Sequence, residues 1–368
     1  MNKIVHISSV HELFDNRIFW KECKSLSEKY DLTLIIPHAE SGKVEGIPVI
    51  GLERQSSRVK RMLITTMQAF QHALEEDAQL YHLHDPELIP VGLLLRMKGK
   101  KVIFDMHENV PGSIRSKGWV PKSIRKILCT LYHGFEKLTL NRFGIIFAEE
   151  SYEREYPWIR TSETVLNMPK AHKIARIHKK KQQTPTIGYI GRIGPNRGSA
   201  ILLDALKVLD KQGMEVHFEC VGGGADPHLN QLQEIAQSND LTLRLHGFLK
   251  PEDGLKIMAG CHIGMAILMP VPNYLESLPT KIFEYMALGL PVIASDFPLY
   301  RSIVEEEECG ICVDPENEHG IAEAIQWLIR NPNKAREMGE RGRQAVLEKY
   351  SWQNEAKKLH EFYEQVID

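Results

Sequence analysis

The chain has 368 residues, of which 43% are hydrophobic and 26% are charged, as in a globular protein of about two domains. Its formal net charge of −2 gives no case for nucleic acid as the main partner. No signal peptide and no spanning segment of about 18 apolar residues is visible. We therefore expect a cytoplasmic protein, with peripheral contact to the inner face of the cell membrane left open.

Six cysteines are scattered along the chain, and only Cys309 and Cys312 form a CxxC pair. A zinc site needs a second pair of ligands, and a thioredoxin-like motif opens a helix. This pair instead runs into Val313-Asp314-Pro315, which predicts a short strand and a turn. We interpret the cysteines as structural residues in a reducing compartment.

In the first half of the chain, short apolar runs alternate with helical patterns, which is typical of a parallel α/β sheet. We predict a Rossmann-like N-terminal domain over residues 1–169. Its strands are predicted at 4–7, 32–36, 47–51, 80–84, 102–105, 145–148 and 164–166, and its helices at 17–29, 61–76, 88–98 and 123–142.

A dense run of positive charge at 170–184 predicts an interdomain linker, and a second α/β series fills residues 185–351. We expect a final helix within 352–368 to pack back on the first domain. Two Rossmann-like halves facing each other would place a ligand in the cleft between them. The predicted strands are 186–190, 215–221, 242–246, 263–268, 291–294 and 311–313, and the helices are 200–211, 227–238, 251–259, 280–288 and 321–330.

The segment from Glu276 to Glu284 carries two carboxylates at an E-x7-E spacing. A helix is predicted to begin at Pro279-Thr280-Lys281 and to end before Gly289 and Pro291. The free N–H groups of a helix N-terminus suit a phosphate, and Glu284 one turn further on suits a ribose diol. The segment thus indicates a nucleotide-diphosphate site, while an ordinary amphipathic helix with solvated charges stays open as the alternative.

A glycine-rich loop from Gly191 to Gly198 lies between a predicted strand and a predicted helix. Its glycines permit close approach of the backbone to a ligand, and Arg192 and Arg197 supply guanidinium groups that match phosphate oxygens. The loop fits neither a Walker A motif nor a dinucleotide fingerprint. Surface arginines on a tight turn are the alternative, but a shared position with Lys281 at strand ends favours phosphate.

Polar residues follow three predicted strands of the N-terminal domain at their carboxyl ends. Metal binding is conceivable for some of them, but no HExxH or similar spacing occurs, so we expect no metal. A structural role for the histidines stays open, and Arg17 could neutralise phosphate or form a salt bridge. The residues in question are Asp15, Arg17, His84, Asp85, His107 and Glu108.

Together these motifs resemble the family 4 retaining glycosyltransferases, which have the GT-B fold. The resemblance rests on Gly191-Arg192 with Arg197-Gly198 and on the Glu276/Glu284 spacing. A bacterial subgroup, of the cell-surface polysaccharide and cell-wall type, is matched by Asp15-Asn-Arg-Ile-Phe, by His82-Leu-His-Asp-Pro-Glu-Leu and by Asp105-Met-His-Glu-Asn-Val-Pro. The resemblance implies an α/β protein whose N-terminal Rossmann-like domain binds the acceptor and whose C-terminal one binds the nucleotide-sugar, across a cleft between parallel sheets.

The family implies roles for individual residues. Arg192 and Arg197 would hold the donor diphosphate, Glu284 would bind the ribose, Glu276 would lie near the donor sugar or diphosphate, and His107 matches the active-site histidine. The implied catalytic residues are His107, Arg192, Arg197 and Glu276; the donor-binding residues are Gly191, Arg192, Arg197, Phe248, Thr280, Lys281 and Glu284; the acceptor-binding residues are Asp15, Arg17, His84, Asp85 and Glu108. No metal or other cofactor is implied.

One stretch departs from the family. Many members carry Gly-Phe-Gly after the first glutamate, whereas this chain has Ser277-Leu-Pro-Thr-Lys281, so we expect Thr280 and Lys281 to share the phosphate contacts. The expected reaction moves a hexosyl or N-acetylhexosaminyl group from a nucleotide-diphosphate sugar, with uridine the commonest base, to a saccharide or lipid-linked acceptor. A non-hydrolysing nucleotide-sugar 2-epimerase and a non-catalytic nucleotide-sugar-binding subunit are the alternatives.

A basic cluster in the N-terminal domain surrounds Trp119. Such a surface can rest on anionic lipid, and family habit favours a lipid-linked acceptor, although the solvated face of a domain helix explains the pattern equally. The cluster consists of Lys117, Lys122, Arg125 and Lys126.

Overall fold

The structure, a computed structural model, describes residues 1–116 and 121–368. The chain divides into two compact units. Unit 1 comprises Met1–Asn167 and Gln353–Asp368, and unit 2 comprises Met168–Trp352. The chain therefore leaves unit 1, builds unit 2 and returns to unit 1.

Unit 1 is built on an eight-stranded sheet in the order β3-β4-β2-β1-β5-β6-β7-β8. All neighbouring strands are parallel except β3, which pairs antiparallel with β4. The sequence pattern misses β3 because its residues are largely exposed and carry no apolar run. The strands are β1 Lys3–Ile7, β2 Asp31–Pro37, β3 Gly42–Val44, β4 Ile47–Leu52, β5 Leu80–Leu83, β6 Lys101–Met106, β7 Gly144–Phe147 and β8 Ser162–Thr164.

Helices connect these strands, and β1, β5, β6 and β7 are buried on both sides, as in other parallel sheets. Segments Ile18–Cys23 and Arg61–Thr65 are π-helical, and Pro86–Leu88 and Leu140–Arg142 are 3-10 turns. The α-helices are α1 Lys24–Leu26, α2 Arg58–Lys60, α3 Thr66–Glu76, α4 Ile89–Met97, α5 Val110–Ser116, α6 Lys122–Thr139 and α7 Glu150–Glu155.

Unit 2 contains a six-stranded sheet in the order β11-β10-β9-β12-β13-β14, in which all neighbours are parallel. Its core includes Tyr189, Leu202, Phe218 and Ile293, all at most 1% exposed. The strands are β9 Thr186–Ile190, β10 His217–Val221, β11 Leu243–Leu245, β12 Ile263–Ala266, β13 Val292–Ser295 and β14 Gly310–Val313; the helices are α8 Ala171–Ile174, α9 Ser199–Lys211, α10 Asp226–Ser238, α11 Pro251–Ala259, α12 Pro272–Leu275, α13 Thr280–Ala287, α14 Pro298–Val304, α15 Glu318–Arg330 and α16 Pro332–Glu348.

The basic segment 170–184, predicted as a solvated linker, packs on unit 2. It contains α8, whose Ala171 and Ile174 are buried. Lys181 Nζ donates hydrogen bonds to the carbonyl oxygens of Ala259, at 3.2 Å, and of Cys261, at 2.6 Å. The sequence does not reveal this packing, because the lysines dominate its composition, whereas the apolar residues between them are the ones that are buried.

The last helix, α17 Trp352–Ile367, lies on unit 1. Glu355 Oε2 accepts a 2.7 Å hydrogen bond from the Leu166 backbone N–H. Gly144 of β7 leaves room for the helix, because a Cβ there would lie 3.1 Å from the Phe362 ring. Within residues 1–116 and 121–368, no helix combines the length and hydropathy needed to cross a membrane.

Candidate functional site

In unit 2, two glycine-containing loops at the carboxyl edge of the sheet touch through their backbones. Gly191 and Gly222 have φ of 128° and 134°, in the region that favours glycine. A Cβ on Gly222 would lie 1.9 Å from the Gly191 carbonyl oxygen, and Ile193 N–H donates to the Gly223 carbonyl at 2.8 Å. This contact fixes the loop that carries Arg192, whose side chain is exposed.

Lys281 lies beside this loop and is the most unusual residue of unit 2. Its side chain is 5% exposed, yet its Nζ has no hydrogen-bond acceptor among the described residues. The Nζ lies 3.7 Å from the centroid of the Tyr189 ring, and a Cβ on Gly191 would lie 3.5 Å from it. Burial, together with the charge of Arg197, lowers the pKa of Lys281 to about 7. A buried ammonium without an acceptor is costly unless an anion binds beside it.

Arg197 completes the cationic side of this site. Its guanidinium carbon lies 5.3 Å from the centroid of the Tyr274 ring, a distance at which cation–π attraction operates. Tyr189 Oη donates a 2.7 Å hydrogen bond to the Arg192 carbonyl oxygen, so this tyrosine supports the loop. The sequence analysis missed Tyr189 because it lies inside β9 and reads as an ordinary core residue.

Helix α13 begins at Thr280, with Pro279 preceding it, as the motif predicts. Glu284 is half-buried one turn further on, and its charge acts to raise the pKa of Lys281. Glu276 instead follows the short helix α12 and is exposed. The two glutamates of the motif therefore belong to different elements.

Phe248 is 85% exposed and follows β11. Its ring lies against Gly223, where a Cβ would be 2.0 Å from a ring carbon. An exposed ring held over a glycine is a surface on which a planar group can stack. The assignment of Phe248 to donor binding stays a prediction, but its position beside the loop of Gly222 and Gly223 is compatible with it.

In unit 1, the buried carboxylate of Asp105 is the centre of the polar cluster. It accepts two hydrogen bonds from Arg17, from Nε at 3.0 Å and from Nη2 at 2.9 Å, and His107 Nε2 lies 3.1 Å away. Burial acts to raise the pKa of Asp105, but Arg17 and His107 hold it well below its ordinary value. Arg17 Nε also lies 2.9 Å from Glu22 Oε1, at an angle that makes no hydrogen bond.

That Arg17 binds the acceptor stays a prediction, and the structure places this residue inside unit 1. Its side chain is buried, and its remaining Nη1 donates to the Val165 carbonyl oxygen at 2.8 Å. His84 and Asp85, predicted for the same role, are buried too. Asp85 accepts hydrogen bonds from Ser8 Oγ at 2.8 Å and from the Ser9 N–H at 2.7 Å. These polar groups hydrogen-bond to other groups inside unit 1. The sequence pattern shows that the residues are polar, but it does not show that they are buried.

Other residues of the predicted acceptor set differ in exposure. Asp15 is half-buried, and its Oδ1 accepts from the N–H groups of Arg17 and Ile18, so it caps the segment that follows. Glu108 is exposed, and the His107 side chain is 17% exposed. His11, which the sequence analysis missed, is partly exposed and lies 3.2 Å from Asp85 Oδ1; despite burial, that carboxylate raises its pKa.

A chain of hydrogen bonds runs from His107 into the interior of unit 1. His107 Nε2 lies 3.2 Å from His84 Nδ1, and His84 Nε2 lies 2.9 Å from His6 Nδ1. Tyr363 Oη of α17 then joins His6 Nε2, at 2.9 Å, to His82 Nδ1, at 2.6 Å. Burial lowers the pKa of His84 to about 4 and holds the pKa values of His6 and His82 well below their ordinary value. Lowered pKa values favour neutral rings for His6, His82 and His84, and the hydrogen bonds tie His107 to the last helix.

We expect Tyr363→Phe to lower the free energy of unfolding by about 1 to 3 kcal/mol, because both histidines lose a buried hydrogen-bond partner. Urea unfolding of the full chain measures this change. Tyr30→Phe is the control, because Tyr30 is also buried, at 5% exposure against 0% for Tyr363, its ring lies 5.7 Å from the Tyr363 ring, and its hydroxyl makes no hydrogen bond among the described residues. Equal losses in the two variants would contradict the expectation.

Among the described residues of unit 1, two groups of side chains are close enough to share a metal ion, and both include His84. The cationic guanidinium of Arg17 stands at the carboxylates of both groups, which disfavours a second cation there. Burial also raises the pKa of Glu22 well above its ordinary value, which favours its protonated form. The expectation that no metal binds stays a prediction. The groups are His6, Glu22, His82 and His84, and His84, Asp105 and His107.

Solved structures share this two-unit architecture. The sucrose-phosphate synthase of Thermosynechococcus elongatus superposes with a TM-score of 0.74 at 19% identity, over 100% of this chain and 99% of that one. Anabaena HepE in complex with UDP-glucose gives 0.72 at 15% identity, over 99% of each chain. At these identities the likeness establishes the fold. The protein has the two-domain, Rossmann-like GT-B fold, and this prediction is confirmed.

Sequence comparisons point to the same class of protein. Residues 171–345, somewhat less than half of the chain, match the family described as glycosyl transferases group 1. A D-inositol 3-phosphate glycosyltransferase of Corynebacterium urealyticum is 29% identical over 182 residues, which are 48% of this chain and 42% of that protein. The resemblance to family 4 glycosyltransferases is confirmed, while the match spans less than half of that relative.

Proposed function

We propose that the protein transfers a sugar, with retention of configuration, from a nucleotide-diphosphate sugar to a saccharide or lipid-linked saccharide in cell-surface polysaccharide biosynthesis. The observation that carries the proposal is the buried ammonium of Lys281 beside Gly191 and Arg197, whose Nζ has no hydrogen-bond acceptor in the described part of the chain. A diphosphate would accept hydrogen bonds from this ammonium. Uridine is the first base to test, since Anabaena HepE, a structural neighbour, holds UDP or UDP-glucose.

Transfer breaks the bond between the anomeric carbon and the diphosphate oxygen and forms a bond from the same carbon to the acceptor oxygen. Negative charge grows on the leaving diphosphate, where Arg192, Arg197 and Lys281 would stabilise it together with the N-terminus of α13. The diphosphate oxygen would then take the acceptor proton, and Glu284 would hold the ribose. With three cations available, we propose that no divalent metal is required.

The decisive experiment measures donor turnover with and without candidate acceptors in buffer containing EDTA, after a thermal-shift screen of nucleotide-sugars. Product that forms only with an acceptor supports transfer, and full activity in EDTA supports metal independence. Turnover without acceptor would indicate the epimerase, which the family match does not favour, and binding without turnover would indicate a binding subunit. A requirement for added Mg²⁺ or Mn²⁺ would contradict the metal-free proposal.

Arg192→Ala should slow transfer by about 100-fold or more at saturating donor, because it removes one fixed cation from the developing charge. The side chain is exposed, so we expect the melting temperature of the free protein to stay unchanged. Arg336→Ala, on the exposed face of α16, is the matched control and should keep full activity. Unchanged turnover of the Arg192 variant would remove this residue from the mechanism.

The predicted lipid contact falls on α6 and the residues before it. Lys117 and Trp119 lie outside the described residues. On α6, Lys126 is exposed together with Ile124, Ile127 and Leu131, which leaves apolar and cationic groups on one helix. This exposure supports the proposal that the acceptor is lipid-linked and that unit 1 meets it at an anionic membrane.

A further inference from the structure

The helical segment that follows β4 exposes apolar side chains that the sequence analysis passed over as part of an ordinary helix. Five large ones are exposed within nine residues, from 41% for Ile64 to 67% for Leu63. Val59, Leu63 and Met67 recur at four-residue spacing and so share one face of the helix. Among the described residues of Arg58–Met67, Thr65 and Thr66 are the buried ones, and Ala69 and Phe70 just beyond them pack on the core of unit 1. The exposed set is Val59, Met62, Leu63, Ile64 and Met67.

The charges of the same segment have one sign. Residues 54–74 contain four cations and no acidic residue, and the first carboxylate after them is Glu75. Arg58 and Lys60 are exposed beside Val59, whereas Arg61 is held by Glu87 at 3.0 Å. An apolar face bordered by unopposed cations is complementary to an anionic lipid surface.

Chain topology places this segment on the same side of unit 1 as α6. From β4 through β5 and β6 to β7 the chain moves in one direction across the sheet, so right-handed crossovers put α3, α4 and α6 on one face. Each connecting helix begins near the carboxyl end of the strand before it. The exposed segment and the start of α6 therefore lie toward the carboxyl edge, where His107 also follows its strand.

We propose that Arg58–Met67 is a membrane-contact segment, in which the apolar face enters the interface of an anionic bilayer while Arg58 and Lys60 meet the headgroup phosphates. This surface goes beyond the proposed transfer reaction and does not depend on it, because lipid binding requires neither donor nor acceptor. It would hold the carboxyl edge of unit 1 against the membrane in which a lipid-linked acceptor resides.

Co-sedimentation of the full chain with vesicles tests the proposal. We expect binding to phosphatidylcholine vesicles that contain about one third phosphatidylglycerol, weak binding to phosphatidylcholine alone, and release as salt shortens the Debye length to about 3 Å near 1 M. The double variant Val59→Ser/Leu63→Ser should bind about tenfold or more weakly, because two inserted side chains lose their apolar contact. Arg58→Glu/Lys60→Glu should lose the preference for phosphatidylglycerol.

Leu94→Ser/Met97→Ser is the matched control, because these side chains are also exposed on unit 1 but lie near the end of α4, toward the opposite edge of the sheet. It should bind like the unchanged protein. Circular dichroism and the melting temperature establish that each variant is folded. Absence of vesicle binding at low salt, or equal loss in the test and control variants, overturns the proposal. So does a dimer in lipid-free sedimentation velocity that Val59→Ser/Leu63→Ser dissociates, which would assign the face to a second copy of the chain.

Discussion

Lys281→Met should weaken UDP binding by about tenfold to a hundredfold, the value of one charge-assisted hydrogen bond of about 1.5 to 3 kcal/mol. The same change should stabilise the ligand-free protein, because the buried ammonium has no acceptor in the described residues and methionine fills a similar volume without a charge. A residue that destabilises the folded protein but strengthens UDP binding is expected in a binding site. A residue of the hydrophobic core should instead stabilise the fold.

The pKa of Lys281 predicts how the stability of the free protein and its affinity for UDP change with pH. The pKa of Lys281 falls to about 7 in the folded protein from an ordinary value near 10.5, so the unfolded chain binds more protons between these values. The free energy of unfolding should therefore rise with pH from about 7 to about 10. Below pH 7 the destabilisation caused by burying the charged ammonium is fully present. Because UDP binds the protonated lysine, its affinity should fall above pH 7, by up to about tenfold per unit.

Isothermal titration calorimetry in buffers of different ionisation enthalpy measures both the affinity and the proton taken up with UDP. Urea unfolding of the free protein at several pH values measures the stability. Lys256→Met, an exposed lysine of α11 in the same unit, is the control and should change neither quantity. Proton uptake that persists in Lys281→Met would assign the titrating group elsewhere.

Asp105→Asn should lower the free energy of unfolding by about 3 to 5 kcal/mol, because it leaves the buried guanidinium of Arg17 without its anion. The pKa of Asp105 is held well below its ordinary value. Its stabilisation is therefore present above the pKa of the unfolded carboxyl group, about 4, and is lost as the pH falls through the lower folded value. Urea unfolding at neutral and acid pH measures both effects.

Glu22→Gln is the matched variant, because Glu22 is as buried as Asp105 and lies beside the same arginine. Burial raises the pKa of Glu22 well above its ordinary value, so we expect a protonated carboxyl group that glutamine imitates. It should cost far less than Asp105→Asn. Equal losses would show that both carboxylates are ionised and share the charge of Arg17.

Much of the fold could be predicted from the sequence, because alternation of apolar runs and helical patterns marks each β–α pair locally. The short helices α7, α12 and α14 could not, since four to seven residues carry too little periodicity. The motif around Lys281 predicted an anion site at the start of a helix. The burial of the Lys281 side chain depends on the ring of Tyr189 in β9, which the motif does not contain.

The contacts within the polar cluster of unit 1 could not be predicted from the sequence. Arg17 and Asp105 are separated by 88 residues, and Tyr363 and His6 by 357. The polarity of a residue is visible in a sequence, but the partners that bury it are not. Of the residues predicted to bind the acceptor or to act on it, Asp15, His107 and Glu108 are at least partly exposed, and their roles stay predictions.

The return of α17 to unit 1 has a consequence for synthesis of the chain. Residues 1–167 leave the ribosome first, but His6 and His82 have no partner for their inner ring atoms until Tyr363 is made. We therefore expect unit 1 to reach its final structure only after unit 2 has been synthesised. Folding of the N-terminal half thus depends on a helix that follows the whole of unit 2 in the chain.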